Sequence, residues 1–228
     1  MKKLLLTALV FAGVQVQAIA QDEVSTDESS NDLERREWYV GFGVTGNDGF
    51  RINSVLEEQG LPELNDAAFE ITIGRSVINE NVLTDLEWNT SYMDKKTSSD
   101  RIRNTNTGFK LRGHYVAWNN DKFFFSGGLD VSYTLNNFNL YSRGNRIDME
   151  DLEPSTHTGH INLYNNQLFL GPSITLGAFQ NSDFPIRLVA GYEWGVYSSD
   201  WKSEVAEVDN SFRENGQGRF YARLVLPL

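Results

Sequence analysis

Few side chains in this 228-residue sequence offer catalytic chemistry. There is no cysteine, so thiolate catalysis, disulfides and Cys-ligated metal are excluded. A catalytic histidine needs a nucleophile and an orienting carboxylate within reach. His114 has those types on the next patterned segment: Ser126, Asp130 and Ser132. The favoured reading is plainer, a histidine paired into a polar interior. His157 and His160 stand three apart in Ser155-Thr-His-Thr-Gly-His160. Two imidazoles can begin a metal site, but on a loop that spacing sets no common face, and no third ligand accompanies them. Asp148, Glu150, Asp151 and Glu153 offer oxygen ligands for calcium without the EF-hand spacing. A solvated acidic loop is the expectation there. No catalytic residue, metal site or cofactor is predicted.

A second set of charges is more ordered. Glu70, Asp85, Glu87, Asp130 and Glu193 alternate with apolar residues along their segments, as do Lys110, Arg112, Arg187, Arg219 and Arg223. His114 shares the pattern. Five acids against five bases on the polar faces predict a buried ion-pair network. An ion-selective pore is the active alternative. A side-chain plug is favoured, because a buried charge is costly unless paired and an eight-stranded barrel is just wide enough to be filled by side chains.

These residues must be held by strands, because the period is two. In the 123–135 stretch Phe123, Phe125, Leu129, Val131, Tyr133 and Leu135 fall on one face with Gly127. Ser126, Gly128, Asp130, Ser132 and Thr134 fall on the other, with Phe124 the exception. The same alternation marks residues 38–45, 67–75, 82–92, 107–118, 167–178, 186–197 and 219–228. The fold class is therefore all-β, an eight-stranded antiparallel transmembrane barrel. Pro172 lacks a ladder donor, which predicts a bulge. Short connections (76–81, 119–122, 179–185) alternate with long ones (46–66, 93–106, 136–166, 198–218). That is the pattern of short periplasmic turns and long extracellular loops. In the first long loop, 53–64 predicts a short helix ending near Gly60.

The apolar face is assigned to lipid. The opposite face is rich in Gly and Ser, as a narrow lumen requires. Aromatic residues collect on the apolar face as an interfacial girdle: Trp38, Trp88, Tyr92, Phe109, Tyr115, Phe123, Tyr133, Tyr192, Trp194 and Phe220. A soluble lipocalin-like barrel would invert the faces. Upstream, Lys2-Lys3, an apolar run and Ala18-Ile19-Ala20 read as a signal peptide over 1–20. Residues 21–35 read as a disordered acidic periplasmic tail, leaving 36–228 as the barrel. The formal net charge of −11 argues against nucleic acid as partner.

The opening Trp38-Tyr-Val-Gly-Phe-Gly43, the closing Phe220-Tyr-Ala-Arg-Leu-Val-Leu-Pro-Leu228 and the loop alternation resemble the small OmpA/OmpX-like outer-membrane barrels. The resemblance covers residues 36–228. It implies the outer membrane of a Gram-negative bacterium, contact with outer-membrane lipid and lipopolysaccharide, and a monomer. It also implies recognition of the last strand by the assembly machinery and an extracellular partner met through the loops. Family members typically close on an aromatic residue, whereas this chain ends on Leu228. The His and Ser two apart that mark lipid A-deacylating barrels are absent: Val116, Gly159 and Asn162 follow the three histidines at that spacing. A structural or surface-interaction role without enzymatic activity is the expectation, with a narrow channel as alternative.

Overall fold

The structure, a computed structural model, describes residues 35–64, 67–79, 81–120, 122–142, 159–178, 185–214 and 216–228. The signal peptide, the tail up to residue 34, His157 and the acidic run 148–153 lie outside the described residues. Eight strands run in order: β1 (Arg35–Asn47), β2 (Ala67–Ile78), β3 (Val82–Lys96), β4 (Asp100–Asn119), β5 (Phe123–Ser142), β6 (His160–Ala178), β7 (Ile186–Ser198) and β8 (Gly218–Pro227). Each pairs antiparallel with its neighbour, and β1 closes on β8 through Tyr39↔Pro227 to Asn47↔Arg219. Closure removes both sheet edges around the ring, so backbone donors and acceptors there are paired within the protein.

The alternating residues divide as their chemistry demands. Leu129, Val131, Tyr133 and Leu135 point outward and are exposed, while Asp130, Ser132 and Thr134 between them are buried. The outward face of the other strands is equally apolar (Phe42, Ile73, Leu86, Leu176 and Leu188). All the predicted girdle aromatics are outward and exposed except Tyr192, which is half-buried with its hydroxyl on Asp48 at 2.5 Å.

Three expectations are corrected. Arg35, placed in the tail, belongs to β1. Pro172 pairs with Leu129 and shifts no register: Leu170↔Trp194 and Ser173↔Gly191 keep one frame across it, with no pair between them on the β7 side. The missing donor thus leaves a gap in the ladder, and the shifts fall at Leu168/Phe169 and Val116/Trp118. The second and third long loops are shorter than their sequence suggests. β3 and β4 stay paired to Lys96↔Arg101, and β5 and β6 to Tyr141↔His160.

In these outer extensions the polarity inverts. Met93, Ile102 and Phe138 are buried on the inward side, while Asp94 and Asn137 are exposed and Asn139 half-buried on the outward side. They join α1 (Ile52–Glu58) from the first outer loop and Trp201 from the fourth in one apolar cluster with Phe50, Ile52, Leu56 and Leu64. The outer sheet leaves an edge. β6 pairs with β7 only from Gln167 onward, and before it the one bridge among the described residues is Tyr164↔Lys202.

If the outward face lies in lipid, Leu129→Arg near the middle of its apolar run is expected to destabilise the folded barrel by about 2–4 kcal/mol, while the same charge near a rim costs far less. Urea titration of the refolded protein in vesicles measures this; an unchanged midpoint contradicts a lipid-facing assignment.

Candidate functional site in the barrel lumen

Every residue of the predicted charge set is inside the barrel and at most 7 % exposed. Arg112 lies at the centre, and all the edges of its guanidinium are used. Its Nη1 donates to Asp85 Oδ2 at 2.7 Å and to Glu87 Oε1 at 2.6 Å. Nε and Nη2 meet the two Asp130 oxygens at 3.2 and 3.3 Å. Nη2 also reaches the Tyr221 hydroxyl at 3.2 Å, and that hydroxyl donates to Asp130. A lysine, with a single point charge, cannot make this planar multidentate set.

From Arg112 the network spreads both ways. Arg223 pairs with Glu70 at 2.5 Å and with Glu87, which also accepts the Tyr39 hydroxyl at 2.9 Å. Lys110 Nζ is 3.1 Å from Glu193 and 3.5 Å from Asp130, with the Tyr221 ring centroid at 3.3 Å. Arg219 holds Glu193 at 2.5 Å and donates to Ser132 and Thr134 at 2.5 and 2.9 Å. Arg187 donates to Ser76 at 2.9 Å, and Ser76 donates in turn to Asp85 at 2.5 Å. All five acids and five bases thus join one continuous set.

The sequence reading missed one member. Glu37, 8 % exposed, pairs with Arg187 at 2.6 Å and with Arg35 at 2.7 Å. Its signal was there: the inward alternation of β1 extends back from Tyr39 to Glu37. The lumenal tyrosines also need space. A Cβ on Gly74 would overlap the Tyr39 ring, and one on Gly191 would lie 2.6 Å from the Tyr221 hydroxyl. Glycine at these two positions is what lets full-length tyrosines lie across so narrow a lumen.

His114 does not form a catalytic triad. Its Nε2 meets Ser173 Oγ at 2.6 Å, Ser173 donates to Asp130 at 2.5 Å, and Nδ1 meets Ser126 at 3.1 Å. The serine stands between histidine and carboxylate, whereas a triad puts the histidine in the middle. Ser132, the other candidate nucleophile, is committed to Arg219 and Glu193. Leu83, which pairs with His114 across the ladder, is buried, as are Val116 and Phe124 toward the short turns. His160 lies in the outer sheet, stacked on Tyr141 at 4.5 Å with its Nε2 3.0 Å from Asn139.

Above the ion pairs the lumen becomes uncharged. Asn47, Asn89, Ser91, Asn106, Thr134, Asn136 and Gln167 line a small cavity, bounded by Glu70 and Arg219. The space open to a water centre is about 10 Å³, the least that holds one water. Over it sits Glu214, also missed, since nothing in an irregular loop marks it. Burial pushes its carboxyl up from the ordinary range, while donors from Trp201, Arg51 and Ile52 pull the other way.

The hydrogen bonds fix the His114 tautomer. Ser173 has one proton and gives it to Asp130, so toward Nε2 it only accepts. The proton of a neutral His114 therefore sits on Nε2, and Nδ1 accepts from Ser126. Nitrogen-15 NMR of the folded barrel should show Nδ1 as the unprotonated nitrogen; a protonated Nδ1 would contradict the assigned network.

No protein-family model matches the sequence, and no curated protein sequence is significantly similar to it. Solved structures are similar in fold. The attachment invasion locus protein Ail of Yersinia pestis matches with a TM-score of 0.50 and 8 % identity over 85 % of this chain and 97 % of Ail. A major outer membrane protein of Thermus thermophilus matches with a TM-score of 0.52 and 8 % identity over 85 % of this chain and 99 % of that one. At such identities the likeness speaks for architecture alone: the chain has the fold of the small eight-stranded outer-membrane β-barrels.

Proposed function

We propose that this is a non-conducting, non-enzymatic barrel of the outer membrane of a Gram-negative bacterium, delivered by its signal peptide. The observation that carries the reading is the continuity of the lumenal ion pairs. Each carboxylate among them contacts a cation, and the set crosses the lumen between β1, β2, β3, β4, β5, β7 and β8. A permeating ion would have to break pairs whose separation leaves buried charge uncompensated, a cost of about 3–5 kcal/mol per broken pair. The argument against catalysis is similar. The His114 cluster is buried, and its groups are committed to one another.

The work then falls to the outside. The apolar band binds outer-membrane lipid. The Asn, Arg and Tyr side chains of the outer sheet meet lipopolysaccharide and an extracellular protein partner. β8 is the strand offered to the assembly machinery. The closed ring needs no second copy, so a monomer is expected.

Single-channel recording of the full chain refolded into a planar bilayer tests this. Folded protein should give no discrete steps. Reproducible steps that change with Arg112→Ala or Glu87→Ala would overturn the reading and make the lumenal charges a filter.

A further inference from the structure

The upper lumen poses a question the ion pairs do not answer. Ser91, Thr134 and Asn136 face inward above the charged layer, and in an open-mouthed barrel they would meet external water. They are each 3 % exposed. What covers them is built from two loops distant in sequence. α1 and its flanks come from the first outer loop, and Trp201, Phe212 and Glu214 from the fourth. Phe50, Ile52, Leu56 and Trp201 pack on Met93, Ile102 and Phe138 of the rim.

The two loops are fastened at one carboxylate. Glu214 Oε2 accepts from the Arg51 N–H at 2.6 Å and from Gln217 Nε2 at 2.6 Å. Oε1 accepts from the Ile52 N–H at 3.0 Å and from Trp201 Nε1 at 3.0 Å. Four donors converge on one side chain, and the residue is 1 % exposed. Gln167, which lines the cavity, donates to the Glu214 carbonyl at 3.4 Å and to Gln217 at 3.2 Å. The fastening is thus tied directly to the cavity wall. The rest of the contact is Arg51 over the Phe212 ring at 5.0 Å, a hydrogen bond from Gln217 Nε2 to the Gly49 carbonyl at 3.2 Å and apolar packing; the seven-residue helix is marginal without these tertiary contacts.

We infer that α1 and the fourth outer loop form a lid over the lumen, latched by the Glu214 carboxylate, and that the polar cavity beneath it fills with external water when the latch is released. This barrier is separate from the ion pairs below, so the lid can open in a barrel that still does not conduct. Under the lid Asn106 Oδ1 is buried without a hydrogen-bond partner. The cavity beside it is just large enough for one water that can satisfy it, and release of the latch opens that position to exchange with bulk water.

The chain has no cysteine, so Ser91→Cys places a single thiol in the cavity. Its rate of reaction with a small, membrane-impermeant methanethiosulfonate is read in refolded vesicles. With the native lid the thiol should be protected, and Glu214→Ala should raise the rate tenfold or more. Rates that are equally slow with and without Glu214→Ala overturn the latch. A fast rate with the native lid overturns the seal. If Glu214→Ala does not fold, Trp201→Phe removes one donor and should accelerate labelling at least threefold; no change overturns the proposal. Bilayer recording of the Glu214→Ala protein separates the two barriers: silence with fast labelling supports a lid over a lumen closed by its ion pairs, whereas discrete steps would mean that the lid was the only barrier and would overturn the separate barrier below it.

Discussion

Arg112 is the constraint on which the rest of this barrel depends. A guanidinium in a narrow lumen must be matched by acceptors on all its edges, and here Asp85, Glu87, Asp130 and the Tyr221 hydroxyl supply them. Those partners come from β3, β5 and β8, so the register of strands far apart around the ring is tied through one side chain. Each carboxylate partner has a second obligation: Glu87 to Arg223 and Tyr39, Asp130 to Lys110 and Ser173, Asp85 to Ser76. The glycines opposite the tyrosines and the serines beside the carboxylates follow from the same need, to leave room and supply donors.

The barrel is layered along its axis. Toward the short turns the buried apolar side chains Leu83, Val116 and Phe124 share that end with the Arg187–Glu37–Arg35 pairs, and above the central ion pairs come the uncharged cavity and the apolar cap. Ion pairs alone would be loosened by water entering from either end, since solvent screens what a low dielectric strengthens. The apolar cap keeps water from the charged layer at the outer end, while at the other end the set runs through Glu37 to the partly exposed Arg35. The cap is in this sense part of the electrostatic design.

Much of this was legible in the sequence because lipid and lumen impose opposite chemistry on alternate residues. Asp130 between Leu129 and Val131 carries its own orientation. The ladders could be read only where that contrast held. Beyond Leu135 the signs reverse, with Asn137 and Asn139 outward and Phe138 inward, so the pattern stops while the hydrogen bonds go on to Ser142. Glu37 escaped because the apolar alternation of the first strand begins at Trp38, although the ladder starts at Arg35. The partners of each charge need register and shear, which no alternation encodes. Glu214 and Trp201 lie in a loop without period, and only the folded cap brings them to Arg51 and Ile52. The bulge predicted at Pro172 failed because a missing donor need not displace the chain when its strand is held on the other side by β5.

The most direct test of the central claim is the unfolding free energy, in vesicles, of Arg112→Met alone and combined with Asp130→Asn. A dry, fully paired lumen predicts that Arg112→Met costs about 3–5 kcal/mol, because three carboxylates lose their shared cation. Adding Asp130→Asn should then recover part of that loss by removing one orphaned charge. A near-neutral Arg112→Met, or a double variant that is simply additive, would mean that water already solvates these charges and would contradict the account.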